Sequence, residues 1–127
     1  MLSIKSTVKD YNYIATGGQS EHIYTIGGIT YKTHLFTTTG STHNFVIRQT
    51  AALLCDILII GGGGSGAKGE GAGGGGAGGF KYHTQRSCAA ANTYSIVVGA
   101  GGAGIAAGAG NGNGNVGNVS TWSDGST

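Results

Sequence analysis

The residues that most resemble a chemical site are glycines arranged as G-x-G-x-x-G directly after apolar strands. The pattern occurs at Gly61, Gly63 and Gly66, and again at Gly99, Gly101 and Gly104. In a dinucleotide-binding fold the third glycine opens a helix whose N-terminus holds the pyrophosphate. Here AKGEGAGGGG follows the first motif, and each glycine disfavours a helix by about 1 kcal/mol relative to alanine. No acidic residue occurs between Glu70 and Asp124 to contact a ribose, so the sequence predicts no cofactor at these glycines.

The histidines are the next candidates, as metal ligands. The chain has four of them, at His22, His34, His43 and His83. None is spaced i,i+2 or i,i+4 from another, and no carboxylate or thiol cluster adjoins them in sequence. His34 and His43 flank a predicted turn at Thr37–Ser41 and could meet across a hairpin. A histidine on a strand is more often a polar surface residue, so we predict no metal site.

Asp56 and the two cysteines are the remaining reactive groups. Asp56 lies within an apolar strand and needs a partner, because an unpaired buried carboxylate is costly. We expect Arg48, Lys81 or backbone N–H groups at the start of a glycine tract to fill that role. Cys55 and Cys88 lack metal-ligand spacing and a neighbouring base, so we expect two small, half-buried apolar residues. The sequence therefore assigns no catalytic, cofactor-binding or metal-binding residue, and predicts that the protein is not an enzyme.

The elements that would position these residues are short strands with alternating apolar and polar side chains. The predicted strands are His22–Ile26, Ile29–Lys32 with an extension to Thr38, Asn44–Ile47, Leu53–Ile60, Thr93–Val98 and a segment that begins at Val119. Gly27-Gly28 and Gly40-Ser41 are turn signals between them. No segment shows a 3.6-residue apolar stripe. The sequence predicts an all-β, sandwich-like fold of antiparallel strands.

Two glycine tracts interrupt this pattern, and each directly follows an apolar strand. Gly61–Gly79 has 13 glycines in 19 residues, and Gly99–Asn118 has nine in 20. One alternative is a pair of flexible linkers, as glycine-rich segments often are. The other is extended, threefold polyglycine-type helices that pack side by side and hydrogen-bond to their neighbours. Within the two tracts Ser65 is the only serine and alanine is the commonest residue other than glycine, so we expect packing. A Gly74→Val substitution should then wedge the packed segments apart.

Composition excludes several classes of protein. The 127 residues include 28 glycines and no proline, and 9% are charged. The seven basic residues are scattered, whereas a nucleic-acid-binding groove needs clustered positive charge. Apolar runs such as Ile57–Ile60 are far shorter than the ~20 residues of a membrane-spanning helix. We expect no nucleic-acid partner and no membrane insertion.

Four segments, in order, carry a resemblance to a known family. They are YKTHLFTTTGSTHNFVI at 31–47, CDILIIGGGGSGAKGEGAGGGGAGG at 55–79, NTYSIVVGAGGAG at 92–104 and NGNGNVGNVSTW at 111–122. This order of a Lys/His/Phe/Thr hairpin, two strands that each enter a glycine tract, and an Asn-Gly run resembles the glycine-rich domain of phage and viral fibre proteins. The resemblance covers residues 31–127.

The resemblance implies a non-enzymatic structural protein of a virion. A fibre or tail-associated protein of this kind anchors or presents a host-binding surface, forms a homotrimer and contacts a host glycan or protein. Residues 1–30 would form a segment that docks on other virion proteins, and residues 31–127 a glycine-rich β domain that continues beyond residue 127. Two other interpretations stay open. One is a secreted or cell-surface glycine-rich ligand-binding domain, and the other is a nucleotide-binding enzyme.

Overall fold

A computed structural model describes residues 1–7, 14–106 and 110–123. The described residues contain β-strands and no helix. The strands are β1 (Leu2–Thr7), β2 (Ala15–Thr16), β3 (Ser20–Ile26), β4 (Ile29–Phe36), β5 (Thr42–Ile47), β6 (Leu53–Ile60), β7 (Phe80–Cys88), β8 (Thr93–Val97) and β9 (Thr121–Ser123).

The strands form two sheets in which all neighbours are antiparallel. Sheet A has the order β3-β4-β1-β6-β7, and sheet B the order β2-β5-β8-β9. Along each central strand the buried side chains alternate with more exposed ones; in β6, Leu53, Cys55 and Ile57 are buried. This alternation gives each sheet one apolar face, and the two faces pack against each other. The predicted all-β, sandwich-like fold is confirmed.

One core lies between the sheets. Its buried members are Leu2, Ile4, Phe36, Leu53, Cys55, Ile57 and Cys88 from sheet A, with Ala15, Phe45, Ile47, Tyr94, Ile96 and Val98 from or beside sheet B. The His34 ring meets the Phe45 ring edge-on across the interface, with centroids 5.0 Å apart. The aromatic side chains that the sequence placed on strands thus include the largest core residues.

The N-terminal strand β1, which the sequence analysis does not anticipate, lies in the middle of sheet A. Ile4 faces His34 of β4 on one side and Ile57 of β6 on the other. The expected division between residues 30 and 31 falls within β4. The described part of residues 1–30 therefore supplies strands to the same sheet as β6 and β7.

The expected hairpin across Thr37–Ser41 is wrong. β4 pairs with β3 and β1 in sheet A, whereas β5 pairs with β2 and β8 in sheet B. Because β4 already has a neighbour on each side, β5 cannot join it, and the chain crosses to the other sheet. The tight hairpin is β3–β4, whose predicted turn at Gly27-Gly28 has φ angles of 59° and 77°. Two positive φ angles are the requirement of a two-residue hairpin turn of type I′.

Candidate functional site

Four glycine-rich segments extend the strands beyond the sandwich. They are residues 61–68, 73–79, 99–103 and 112–118, and together we call them the glycine layer. The first two segments continue β6 and β7 of sheet A, and the other two continue β8 and β9 of sheet B. Side chains hold two packed sheets about 10 Å apart, so main chains of opposite sheets cannot bond directly. Where the side chains stop, the two layers can approach to hydrogen-bonding distance.

The first segment bonds to its neighbours with a period of three residues. The N–H groups of Gly61, Gly64 and Ala67 donate to the carbonyl oxygens of Gly79, Gly76 and Gly73, at 2.8, 2.9 and 3.0 Å. The N–H groups of Gly62, Ser65 and Lys68 donate to the carbonyl oxygens of Asn118, Asn115 and Gly112, each at 2.9 Å. The first set continues the β6–β7 pairing, and the second crosses to the extension of sheet B.

The segment at 99–103 is a third neighbour of the first segment. The N–H of Gly102 donates to the carbonyl of Gly63 at 2.8 Å, and the N–H of Asn118 donates to Ala100 at 2.8 Å. A β-strand has a period of two and directs its hydrogen bonds within one sheet. Bonds to three sides need successive residues to point in three directions. The tracts are therefore tied together by their own main chain, as the packing alternative expects.

The same period of three marks the glycines that cannot carry a side chain. A Cβ atom would overlap a carbonyl oxygen of a neighbouring segment at Gly62, Gly75, Gly78, Gly99, Gly102, Gly114 and Gly117. At each position a Cα–H bond points at that oxygen instead, a weak additional contact. At Gly74 no atom beyond its chain neighbours lies within 4 Å of a Cβ. The choice of Gly74 as a wedging position is therefore wrong, since its neighbour Gly75 is the packed one.

Short polar side chains connect the glycine layer to the strands. The Ser120 hydroxyl donates to the carbonyl of Ile60 at 2.7 Å and accepts from the N–H of Gly99 at 2.9 Å. The Ser65 hydroxyl accepts from the N–H of Asn115 at 2.8 Å, and the Asn115 side chain donates to Ala103 at 2.7 Å. The Ser120–Ile60 and Ser65–Asn115 bonds cross between the extensions of the two sheets, and the other two bonds join the β8 and β9 sides of sheet B.

Asp56 has a partner, but none of those expected. Its carboxylate lies 2.8 Å from Lys5 Nζ and accepts the N–H of Gln85 at 2.9 Å. Burial tends to raise the pKa of Asp56, but the hydrogen bonds from Lys5 and Gln85 outweigh burial and hold that pKa below its usual value. Lys81 faces the opposite side of sheet A, in register with Ile59, and Arg48 donates to Thr16 Oγ1 at 3.3 Å. The missed partner comes from β1, which the sequence analysis did not recognise as a strand.

A buried polar cluster fastens the chain around residue 17 to sheet A. Lys32 Nζ lies 2.8 Å from Glu21 Oε2 and donates to the carbonyl of Ala15 at 3.1 Å. His34 Nδ1 donates to the carbonyl of Gly17 at 2.8 Å and lies 3.1 Å from Glu21 Oε1. Both neighbours are acceptors, so Nδ1 carries the proton, and the buried Nε2 has no partner in the part of the chain that the structure describes. Burial lowers the pKa of His34.

The other sequence candidates do not assemble into a catalytic or metal site in the described part of the chain. His34 and His43 lie on different sheets, and His43 is bonded to Gln19 and to the carbonyl of Thr38. No group of three or more potential metal ligands occurs among the described residues. No helix follows either G-x-G-x-x-G motif there, and residues 1–7, 14–106 and 110–123 contain no helix that could span a membrane.

The two cysteines are more deeply buried than expected. Both are free thiols with no exposed surface, on the adjacent strands β6 and β7. A hydrogen bond with Cys88, together with burial, raises the pKa of Cys55. They act as core residues that are shielded from solvent.

The outward face of sheet A carries an apolar surface, which we call the outer face. Its exposed members are Ile26, Ile29, Leu54, Phe80 and Tyr82, with exposures of 65%, 47%, 53%, 71% and 52%. Tyr24 and Tyr31 stack between them across β3 and β4, with ring centroids 5.6 Å apart. Lys5 and Asp56 lie on this face as an ion pair, and Lys5 Nζ is 4.8 Å from the centre of the Tyr31 ring. The outer face combines apolar side chains with a single neutralised charge pair.

Comparison with known proteins gives one result that bears on this architecture. Neither a curated protein nor a solved structure is significantly similar to the chain. A family model described as a glycine-rich domain matches residues 37–127, which include β5 to β9 and the whole glycine layer. Because that match spans most of the sequence, the chain belongs to the glycine-rich domain family.

Proposed function

We propose that this chain is a non-enzymatic structural component of a virion, a fibre or tail-associated protein that anchors or presents a host-binding surface. The observation that carries the proposal is the three-residue period of hydrogen bonds in the glycine layer. That period is the one expected of extended threefold helices with three residues per turn. We infer that the glycine segments are polyglycine helices that are held together by hydrogen bonds between their main chains.

Such a layer suits a mechanical role. Bonds on three sides resist bending in every direction, whereas a lone β-hairpin resists it only within the plane of its hydrogen bonds. The layer also offers few side chains to recognise a substrate or to take part in a reaction. The sequence resemblance to phage and viral fibre proteins supports the virion assignment, and the family match is consistent with the glycine-rich part of it.

The outer face supports assembly of several copies, and we propose that it packs against further copies of this chain in a homotrimer. Five strands about 4.8 Å apart and about seven residues long give a face of roughly 550 Å². That footprint approaches the ~800 Å² of accessible surface that each partner buries in a stable complex. In a threefold assembly three such faces would enclose the axis, with the paired Lys5 and Asp56 adding no net charge to it.

Residues 1–30 are proposed to contact other virion proteins. β3 is an edge strand of sheet A, and no described strand pairs with its outward edge, where a partner strand could bind. A docking partner would thus bind to the edge of the fold.

Light scattering of the purified chain tests the assembly. A mass of three times 12.5 kDa is expected, and Tyr82→Glu should convert the trimer to monomers by placing a charge on the outer face. Thr39→Glu, at an exposed position in the loop between β4 and β5 and away from the outer face, is the control and should leave the trimer intact. A stable folded monomer of the unsubstituted chain would refute the homotrimer.

Immunogold electron microscopy tests the virion role. Antibodies raised against the recombinant chain should label fibres or tails of particles purified from the source culture. Labelling of uninfected cell surfaces, with none on particles, would replace the proposal by the cell-surface ligand-binding alternative. The outcome does not depend on the oligomeric state, so the two tests can fail separately.

A further inference from the structure

A cleft opens between the edge strand β7 of sheet A and the short strand β9 of sheet B. Its volume is about 250 Å³, and its lining residues are Ile57, Ile59, Lys81, His83, Arg86 and Trp122. Within the described residues β9 has three residues and β7 has nine. The described part of sheet B therefore leaves part of the inner face of β7 uncovered.

A β-bulge gathers three basic side chains on this face. Lys81 is in register with Ile59, and His83 with Ile57, so both lie on the inner side of β7. Strict alternation would place Gln85 there next, but the register shifts at this point and Gln85 has a φ of 49°. Because of the bulge, Arg86 lies on the inner side of β7 in place of Gln85, and it is in register with Cys55.

No acidic side chain compensates these groups in the described part of the chain. The described ion pairs join Asp56 to Lys5, and Glu21 to Lys32 and His34. Asp56 lies on the outer face, because it alternates with the inward-facing Ile57. The cleft lining contains no Asp or Glu from the described residues. Two fixed positive charges and an imidazole therefore share one cleft.

Trp122 adds a donor without an acceptor. Its ring stacks on Tyr94 with centroids 4.5 Å apart, which fixes the indole against the core. The Nε1 atom is buried and has no hydrogen-bond partner among the described residues. Native structures seldom leave a buried N–H group unsatisfied, so a ligand that reached Nε1 from the cleft would supply the missing acceptor.

We propose that this cleft binds the oxyanion group of a small organic ligand, a carboxylate or a phosphate. Arginine presents a planar pair of donors that matches either group, lysine adds a compact charge, and indole N–H can only donate. Ile57 and Ile59 form an apolar floor for the carbon part of the ligand. The proposal rests on the cleft alone; if the virion role holds, an acidic sugar of a host glycan becomes the natural ligand.

Trp122 reports on its own site, because it is the only tryptophan in the chain. Titration of the purified protein in low-salt buffer with glucuronate, inorganic phosphate and glucose should change its fluorescence saturably for glucuronate or phosphate, and not for glucose. A response to glucuronate alone identifies a carboxylate site, and one to phosphate alone a phosphate site. An equal response to glucose, or no saturable response to any probe, would overturn the proposal.

Charge variants separate the cleft from general electrostatic attraction. Arg86→Gln and Lys81→Gln remove exposed side chains and should each weaken binding about tenfold, while the fold is retained by circular dichroism. Lys68→Gln makes the same charge change in the glycine layer and should leave the affinity within about twofold. The indole N–H resonance of Trp122 in ¹⁵N spectra provides a second measurement of binding. An equal loss of affinity in Lys68→Gln would show that no specific site exists.

Discussion

Replacing Gly75 by alanine tests whether the glycine layer is packed main chain. The new Cβ would overlap the carbonyl oxygen of Gly64 and lie 2.7 Å from the carbonyl carbons of Gly64 and Ser65. The three nearest atoms all belong to the main chain, so no flexible side chain can move aside to relieve the overlap. The second segment must therefore shift by roughly 1 Å away from the first, given normal van der Waals contact distances.

The cost follows from what that shift disrupts. Overpacking of a well-packed site costs about 1–3 kcal/mol. The hydrogen bond from Gly64 to Gly76, now 2.9 Å, would lengthen, and each lost bond costs about 0.5–1.5 kcal/mol. Alanine also stabilises the protein by about 0.4–1 kcal/mol, because it lowers the conformational entropy of the unfolded chain. The net destabilisation is about 2–3 kcal/mol, which lowers Tm by about 10 °C for a domain of this size.

Gly74→Ala is the matched control, since it makes the same chemical change one residue away. No atom beyond its chain neighbours lies within 4 Å of a Cβ there, and its φ is not positive. It should raise Tm by a few degrees through the unfolded-state effect alone. Thermal unfolding followed by circular dichroism, with urea unfolding as a second measure, gives the comparison. Equal Tm values for the two variants would refute close packing of the layer.

Two further predictions concern pH. Because the pKa of Asp56 is lowered on folding, the ionised carboxylate should stabilise the fold at pH 7, and this stabilisation should be lost as the pH falls below about 4. Asp56→Asn should therefore lower the free energy of unfolding in urea by about 1 kcal/mol at pH 7, and by progressively less below pH 4. The pKa of His34 is also lowered, so the wild type should lose stability as the pH falls below about 6.5, and His34→Gln should show a flatter profile between about pH 7 and 5. Parallel pH profiles of wild type and variant would contradict either assignment.

Local pattern was enough to predict most of the strands. β6 is found over Leu53–Ile60, as predicted, because a short run that is apolar apart from Asp56 and ends at glycine favours a buried strand. The turn at Gly27-Gly28 followed from the need for positive φ. β1 and β7 were missed because their polar residues weaken the alternation, and their burial depends on strands distant in sequence.

The side-chain partners contributed by different strands could be identified only from the tertiary structure. Asp56 pairs with Lys5 because β1 inserts between β4 and β6, and no local signal specifies that insertion. His34 and His43 are separated because β4 already has neighbours on both sides. The basic cleft depends on one bulge at Gln85, which exchanges the faces of the residues that follow it.

The amino-acid sequence by itself determined which kinds of element the chain forms. These are alternating strands that need an apolar partner sheet, and glycine tracts that have no side chains to keep neighbouring main chains apart. Only the tertiary structure decided which glycines of a tract face a neighbouring segment. Gly74 and Gly75 are each flanked by glycine on both sides, yet Gly75 faces the first segment, whereas no described atom beyond its chain neighbours lies within 4 Å of a Cβ at Gly74. The reason is that hydrogen bonds to the segment at 61–68 fix the rotation of the second segment, and that register is a property of two segments held together.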